Sequence, residues 1–494
     1  MEPTKPYLAQ QAGNAVVWRG LSLAAEKLIF LVRLLVLARL VSPEDFGLVA
    51  IGLTVITVVG QATDFGMIPA LVQTPAKQKR HLDTAWSISV MRGLLITVVL
   101  LIAAPFIAEL FAEPRATNII RVLALATLAQ SAASIEIATI TRALHFRGLA
   151  SIELTSALVN TAVSIYFART HGAWALVWGN VSGAVAYMIG SYVVASYRPA
   201  FQISGAATHQ LLKFGRWIFL TGVLGVLFGA VLRWMISRQL GVAELGLFFL
   251  ASRLAFLPAQ ITTGVLHDVA FPVYSRLQHN ADKLARVFRA MLISMLVMLL
   301  PLSFIFVTLV PGLVEHVLGN RWIETTEIMQ ILVLASLMGV LGDSIVPLLQ
   351  GTGRPEKIAT IDAFQLMMIA VFGWGIIGAF GLIGAGMAYL TSIIISQFLI
   401  VYVLYKTIEK PFSGLLSSFL TIVIVALIGA VVAFSMMVLI PGAFGLGLAA
   451  FVAGLTAIGT GLILDRIFRL GLLTMLSEPW PRLAAAVSDF IERK

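Results

Sequence analysis

Charged side chains occur inside long apolar segments of this 494-residue chain. Near the start, Arg19, Ser22, Glu26 and Arg33 follow steps of three, four and seven residues, so one face of a helix would carry all four. An ionisable group near the centre of a membrane helix costs at least about 2.5 kcal/mol, so such groups usually face a protein interior or a wet cavity. The spacing predicts a polar stripe on this helix.

Two later apolar segments carry polar stripes of the same kind. One comprises Thr54, Thr57, Gln61 and Asp64, and the other comprises Arg253, Gln260, Thr263 and His267. His267 alone is more typical of a hydrogen-bonded structural residue than of a ligand. The stripes together predict helices that surround a polar pathway.

Arginine is the residue type that suggests what such a pathway binds. A guanidinium presents a planar fork of donors that matches phosphate oxygens, and burial strengthens the attraction. By depth within their segments, Arg33, Arg233 and Arg253 fall in the outer half, whereas Arg19 and Arg92 fall in the inner half. We expect these five arginines to line a cationic cavity that binds an anionic, phosphate-bearing cargo.

Acids in the same segments suggest ion coupling. A buried carboxyl can take up a cation or proton in one part of a transport cycle and release it in another. Glu26, Asp64 and Glu136 are the candidates, with a proton or sodium gradient as the driving force. The alternative is that pairs such as Arg19 with Glu26 are structural ion pairs that lock helices together.

The composition places these segments in a membrane. Hydrophobic residues make up 59% of the chain and charged residues only 12%, whereas soluble domains contain about 25% charged residues. The absence of cysteine excludes disulfides, cysteine-ligated metals and thiol catalysis. The seven histidines are widely spaced, so neither a metal site nor a cofactor is expected. The polar segment from Met1 to Gln11 gives no sign of a removable signal peptide.

Apolar runs of about 20 residues, the length that crosses a bilayer as a helix, recur along the chain. We count about fourteen: 15–38, 46–70, 84–107, 118–141, 150–168, 173–195, 216–238, 246–270, 290–310, 327–350, 358–377, 382–404, 417–440 and 446–464. With the N-terminus inside, twenty-two of the 34 Lys and Arg residues fall on the inner side and five on the outer. Because cytoplasmic loops are rich in Lys and Arg, we predict that both termini are cytoplasmic.

The connecting loops limit what else the chain can do. The longest outward connection, around Pro311 to Thr326, has about fifteen residues, which is too short for a catalytic domain. We therefore expect no enzyme activity and no catalytic residues. The net charge of +10 is explained mainly by membrane orientation, so no nucleic acid is expected. The tail, 466–494, is cytoplasmic in this prediction, either as a helix on the inner leaflet or as a solvated segment.

The chain also contains an internal echo, by which we mean two segments that each resemble a later segment of the same chain. Arg33 to Leu48 resembles Arg233 to Leu247 at an offset of 199 to 200, and Arg147 to Glu153 resembles Arg354 to Asp362 at an offset of 207 to 209. The echo predicts an N-lobe (1–200, helices 1–6) and a C-lobe (201–410, helices 7–12), followed by helices 13 and 14 (411–465). Parallel repeats are one plan of transporters. The alternative is that both echoes reflect common loop chemistry.

A family resemblance rests on particular segments. Leu40-Val-Ser-Pro-Glu-Asp-Phe-Gly-Leu-Val-Ala50, Asp64-Phe-Gly-Met-Ile-Pro-Ala-Leu-Val-Gln73 and Phe146-Arg-Gly-Leu-Ala-Ser-Ile-Glu-Leu154 resemble polysaccharide transporters. These are Wzx-type flippases of the multidrug, oligosaccharidyl-lipid and polysaccharide exporter superfamily. The resemblance implies a multi-pass protein of the bacterial inner membrane that translocates undecaprenyl-pyrophosphate-linked oligosaccharide by alternating access, for exopolysaccharide, capsule or lipopolysaccharide synthesis.

The resemblance also implies partners and a rival function. The expected partners are the lipid-linked oligosaccharide, membrane lipids, and the polysaccharide polymerase and export proteins. The rival is a multidrug or cation antiporter of the same superfamily, which would favour an excess of acids in its cavity. Seven bases against about five acids within the apolar segments favour an anionic cargo.

Overall fold

The computed structural model describes residues 5–63, 79–137, 146–195, 197–202 and 205–468, and within these ranges the chain is helical without strands. Contacts group the helices into two units, Met1–Phe249 and Leu250–Lys494. The first unit holds α1 (Lys5–Leu40), α2 (Pro43–Gln61), α3 (Lys79–Leu110), α4 (Ala116–Ser131), α5 (Phe146–His171), α6 (Ala173–Val194), α7 (Gly205–Gln239) and the start of α8 (Val242–Ala255).

The second unit continues from the end of α8. It holds α9 (Leu257–Leu277), α10 (Ala281–Gly312), a π-helical turn (Leu313–Leu318), a 3₁₀ turn (Asn320–Trp322), α11 (Thr325–Met338), α12 (Val340–Gly351), α13 (Pro355–Thr407), α14 (Leu415–Leu439) and α15 (Ala443–Phe468). The π-helical and 3₁₀ turns occupy most of the loop predicted around Pro311 to Thr326.

Nine helices of the described residues are long and apolar enough to cross a membrane, or ten if a bent pair counts as one span. The bent pair joins α8 to the start of α9 at an angle of 42°, just before Pro258. Large apolar side chains such as Phe398, Phe444 and Val431 lie on the outside of the helices, where a soluble protein would place polar groups. The chain is therefore a multi-pass membrane protein, and the count of fourteen and the cytoplasmic termini stay predictions.

Helix α13 shows why a count of membrane spans that takes each helix once is too small. Its 53 residues would reach about 80 Å as a straight helix, far more than the hydrocarbon thickness of ~30 Å. Gly381 interrupts it with a positive φ of 58° and a ψ of −136°. This break lies between the two segments predicted at 358–377 and 382–404.

A matching break separates α5 from α6 in the first unit. Gly172 has a φ of 50° and a ψ of −123°, and it stands 209 positions before Gly381. Side chains disfavour this backbone region, so glycine is required at both places. The shared geometry agrees with the offset of the second sequence echo, although the lobe boundary at residue 200 stays a prediction.

The helix α2 begins with strong local signals. Ser42 caps it by accepting a hydrogen bond from the backbone N–H of Asp45 at 3.2 Å, and Pro43 occupies the first turn. Glu44 and Asp45 add negative charge where the helix dipole is positive. These residues explain why the turn after α1 is only two residues long.

The start of α2 packs closely against the start of α8. A Cβ atom on Gly47 would lie 1.9 Å from the carbonyl oxygen of Val242, and one on Gly246 would lie 1.8 Å from the carbonyl oxygen of Pro43. Pro43 and Val242, like Gly47 and Gly246, are 199 positions apart. The contact is therefore reciprocal, as expected where a pseudo-two-fold axis passes between two equivalent helix starts.

Helix α7 belongs to the first unit by its hydrogen bonds. The indole of Trp234 donates to the carbonyl of Leu110 at 3.0 Å, and the hydroxyl of Ser237 donates to the carbonyl of Phe111 at 2.7 Å. Both acceptors lie where α3 ends, so the two side chains satisfy carbonyls that the helix leaves without partners. These bonds agree with a division between the two units that follows α7. The lobe boundary predicted from the sequence repeat, at residue 200, precedes α7.

Candidate functional site

A polar cavity lies among α2, α3, α4 and α6 in the first unit, with a volume of about 470 Å³. Its described lining residues are Ile56, Thr57, Gly60, Gln61, Ser89, Arg92, Thr127, Gln130, Ser131, Ala133, Ser134, Ile135, Ile137 and Tyr187. Arg92 is the one charged residue in this set. We call this space the polar cavity.

Helical spacing brings the polar side chains together. Thr127, Gln130 and Ser131 follow steps of three and one along α4, so they share one face, and Ser134 lies three residues beyond the end of this helix. Thr57 and Gln61 share a face of α2, four residues apart. The sequence predicted Thr57 and Gln61 as part of a polar stripe, and the cavity is where they lie.

Arg92 is the predicted anion-binding residue that lines the polar cavity. Its Nε donates to the hydroxyl of Thr63 at 3.0 Å, and its Nη2 donates to the carbonyl of Gly60 at 2.7 Å. Both acceptors lie at the C-terminal end of α2, where a cation is favourable to the helix dipole. Arg92 therefore fastens α3 to the end of α2 and places a positive charge at the cavity wall.

Within the predicted span 118–141, α4 stops at Ser131. The carbonyl of Ala132 accepts hydrogen bonds from the hydroxyl of Tyr192 at 2.7 Å and from the indole of Trp86 at 3.4 Å. The backbone N–H of Ser134 donates to the hydroxyl of Ser191 at 2.8 Å. Side chains from α3 and α6 thus satisfy the backbone beyond the helix.

Glu136 consequently stands in a turn rather than on a membrane helix. Its Oε2 accepts a hydrogen bond from the backbone N–H of Tyr197 at 2.7 Å. The nearby Asp83 accepts hydrogen bonds from the hydroxyl of Tyr197 and from the backbone N–H of Ala200, the second at 2.8 Å. The two carboxylates hold the segment that follows α6, and the coupling role of Glu136 stays a prediction.

Tyr197 is a stable donor in this arrangement. Burial raises the pKa of its phenol above the usual value, and the adjacent Asp83 carboxylate raises it further. The hydroxyl is therefore protonated across the physiological pH range. Neither Asp83 nor Tyr197 lies in a polar stripe, so their roles are not visible from residue spacing.

The other predicted site residues are distributed along several helices. Arg33 is half-buried in α1, with its Cζ 5.4 Å from the centre of the Phe30 ring, and Glu26 is half-buried two turns earlier. Arg233 lies in α7, with its Nη1 beside Gly229, where an added Cβ would be 3.3 Å away.

Arg253, Arg19 and Asp64 complete the set of predicted site residues. Arg253, in the part of α8 that belongs to the second unit, is partly exposed. Arg19 lies in α1, but its side chain is outside the described part of the structure, and Asp64 lies outside the described residues altogether. A single cavity lined by all five arginines therefore stays a prediction.

A second space of about 380 Å³ lies in the second unit among α10, α14 and α15. It is lined by Val297, Met298, Pro301, Leu302, Ile305, Thr421, Ile422, Val425, Gly454, Ala457, Ile458, Gly461 and Leu462. Thr421 is the one residue here with a polar side chain, and its hydroxyl donates to the carbonyl of Ser417 at 3.0 Å. We call this space the apolar groove.

The apolar groove exists because small residues line one face of α15. Gly454, Ala457 and Gly461 follow steps of three and four residues, and a Cβ on either glycine would meet no other atom within 4 Å. The sequence signal was therefore present as a row of small residues on one helical face. Stripes of charged and polar residues do not reveal such a face, because it contains neither.

Comparison with known families and relatives gives a consistent result. The model of a family described as "Polysaccharide biosynthesis protein" matches residues 36–327, more than half of the chain. The lipopolysaccharide biosynthesis protein WzxC of Escherichia coli (strain K12) is 24% identical over 390 residues, which cover 76% of this chain and 77% of that protein. The succinoglycan biosynthesis transport protein ExoT of Rhizobium meliloti (strain 1021) is 25% identical over 352 residues, 70% of each chain.

Solved structures share the fold. The lipid II flippase MurJ in an inward closed conformation has a TM-score of 0.70 at 15% identity, covering 92% of this chain and 99% of that one. An inward-facing multidrug resistance MATE family transporter has a TM-score of 0.57 at 15% identity, covering 77% of this chain and 95% of that one. At this identity the likeness establishes the architecture alone.

Proposed function

This chain belongs to the polysaccharide biosynthesis protein family, and we propose that it is a flippase for undecaprenyl-pyrophosphate-linked oligosaccharide in the bacterial inner membrane. Such a flippase serves the synthesis of exopolysaccharide, capsule or lipopolysaccharide. The relatives' names support this proposal, since they refer to lipopolysaccharide biosynthesis and to succinoglycan transport. The protein moves its cargo without changing its covalent bonds, so it is a transporter rather than an enzyme.

One observation carries the proposal: the chain contains both a polar cavity and an apolar groove. A lipid-linked oligosaccharide has a hydroxyl-rich head and a long hydrocarbon tail, and each part needs its own surroundings. The apolar groove suits a polyprenyl chain, because its wall offers hydrocarbon contact and its one hydroxyl is already hydrogen-bonded to the helix.

The arginines supply the remaining part of the proposal. A pyrophosphate between head and tail would bind Arg19, Arg33, Arg92, Arg233 or Arg253 through bidentate hydrogen bonds. In this mechanism the two lobes expose the site alternately to each side of the membrane. A proton or sodium gradient drives the cycle through Glu26, Asp64 or Glu136, and the polymerase and export proteins receive the product.

The rival function, a multidrug or cation antiporter, is supported less well. The family match and the named relatives refer to polysaccharides rather than to drugs. An antiporter would export cationic drugs, so drug resistance of cells that express the chain distinguishes the two functions.

The experiment that tests the flippase proposal fills the apolar groove. Gly461→Leu places a side chain into the groove, and Gly459→Leu is the matched control, because Gly459 lies on the same helix, has the same free space, and does not line the groove. Purified variants in vesicles that contain a fluorescent undecaprenyl-pyrophosphate oligosaccharide are assayed for lipid translocation. We expect Gly461→Leu to slow translocation at least tenfold and Gly459→Leu to retain it.

Two results would contradict the flippase proposal. One is that the unmodified protein does not translocate the labelled lipid under an imposed proton or sodium gradient. The other is that both leucine variants translocate it at the unmodified rate, which would remove the groove from the proposed path. Neutralising Arg33, Arg233 or Arg253 should separately abolish surface polysaccharide in cells while the protein stays inserted.

A further inference from the structure

We propose that the polar cavity binds a sugar ring of the glycan head, which makes it a specificity site separate from the pyrophosphate. This inference rests on the proposed function and names the part of the cargo that this cavity receives. The observation behind it is a pair of buried hydroxyl groups that no described part of the chain satisfies.

The two hydroxyls belong to Thr127 and Ser134. Their side chains are 9% and 2% exposed, both line the polar cavity, and neither hydroxyl has a hydrogen-bond partner within the described residues. Buried hydroxyls in helices usually donate to a carbonyl one turn earlier, as Thr97 does to Gly93 at 2.8 Å. A ligand with hydroxyl groups would satisfy Thr127 and Ser134 and remove the cost of their burial.

The rest of the lining fits a sugar better than a phosphate. The amides of Gln61 and Gln130, like hydroxyls, both donate and accept hydrogen bonds, and every hydroxyl of a sugar does the same. A phosphate only accepts, so it would use the donor N–H and O–H groups and leave the acceptor oxygens of these side chains unmatched. Arg92 is the one charged residue among the described lining residues, and two of its N–H groups already bind the end of α2.

The size of the polar cavity also suits this ligand. Its volume of about 470 Å³ lies within the range of about 300–1,000 Å³ typical of small-molecule sites. It is equivalent to roughly fifteen water molecules at about 30 Å³ each. A sugar ring with several bridging waters fits, and Tyr187 provides an aromatic ring at the wall.

The natural absence of cysteine makes a direct test possible. Ala133→Cys introduces a unique thiol at the cavity wall without removing a polar group. The rate of its alkylation by a maleimide is measured in the full-length purified protein. The probes are glucose, galactose, N-acetylglucosamine and glucuronate, each added alone at millimolar concentration, and sodium pyrophosphate.

We expect at least one sugar to slow alkylation threefold or more, while pyrophosphate changes the rate by less than 1.5-fold. Thr127→Val or Ser134→Ala in the Ala133→Cys background should abolish the protection. Ser303→Ala should leave it unchanged; Ser303 is the matched control, because its hydroxyl is also buried, at 1% exposure, and without a partner in the described chain, but it does not line the cavity.

Three results would overturn the inference. These are protection by none of the sugars, protection by pyrophosphate alone, and protection that survives both Thr127→Val and Ser134→Ala. The binding assay involves no transport, so its failure can be separated from failure of the flippase proposal. Lipid translocation without sugar protection would remove the sugar site and keep the flippase.

Discussion

The polar cavity and the apolar groove are similar in volume but differ in chemistry. The first, about 470 Å³, is lined by hydroxyls, amides and one guanidinium together with three isoleucines, and the second, about 380 Å³, is lined almost wholly by hydrocarbon. The difference lies in how the space arises. The polar cavity forms where α2 and α4 end at Gln61 and Ser131, whereas the apolar groove forms along the middle of helices, where one face of α15 carries small residues.

This difference has a physical reason. A helix end leaves backbone groups that need hydrogen-bond partners, so polar side chains and water gather there. The middle of a membrane helix satisfies its own backbone, so removal of side chains creates room without creating polarity. A membrane protein can thus produce either kind of site by choosing where its helices stop.

The largest expected effect comes from placing an aspartate in each of the two spaces, first the apolar groove and then the polar cavity. Ala457→Asp puts a charge in the apolar groove, where insertion of an acid costs about 2.5 kcal/mol or more. We expect it to reduce membrane-inserted protein and polysaccharide export at least tenfold. Inserted protein is measured by immunoblot and export by surface polysaccharide. Ala133→Asp in the polar cavity should change the amount of inserted protein by less than about twofold. Equal loss of inserted protein in the two variants would mean that the two spaces do not differ in polarity.

An intermediate effect is expected at Arg92. Arg92→Leu removes two hydrogen bonds that a charged group donates, each worth about 1.5–3 kcal/mol. We expect a lower melting temperature of the purified protein and export reduced about tenfold, with partial recovery in Arg92→Lys. Arg121→Leu is the control, because Arg121 also donates to a carbonyl, that of Leu101 at 3.1 Å, but lies outside the cavity in an exposed position. If Arg121→Leu lowered the melting temperature and export as much, the effect of Arg92→Leu would reflect only the loss of a contact between helices.

The smallest effect is expected at Thr421. Its hydroxyl is satisfied within its own helix, so Thr421→Val should change stability by no more than about 0.5 kcal/mol and leave translocation unchanged. The equivalent substitution Thr127→Val should reduce transport of the complete cargo, because its hydroxyl faces the polar cavity. Parallel vesicle assays compare the two. If Thr421→Val slowed translocation more than Thr127→Val, hydroxyl groups would matter in the groove and not in the cavity.

The sequence predicts the helical membrane class well, because long apolar segments with inner Lys and Arg leave few alternatives. It also predicts Thr57 and Gln61 on one face of α2, since helical spacing is visible in a single chain. The early end of α4 was not predictable, because it depends on Trp86 and Tyr192, which reach Ala132 from other helices.

In the candidate site, too, some residues can be predicted from the sequence and others cannot. The sequence singles out Arg92, because an arginine in an apolar segment is conspicuous, and its anion-binding role stays a prediction. Thr127 and Ser134 were not predicted, since most helical hydroxyls bond to their own turn and only the structure shows which do not. Glu136 was selected as an acid within a membrane helix, but its contact with the backbone of Tyr197 is a long-range one that spacing does not reveal.

The reciprocal contact of Gly47 and Gly246 couples the two positions in evolution as well as in space. A Cβ atom on either residue would meet the backbone of the opposite helix start, at Val242 or at Pro43, and backbone cannot give way as a flexible side chain can. Replacing one glycine would therefore separate the two helix starts and remove the close approach that requires the other. Each position thus sets which substitutions the other can accept.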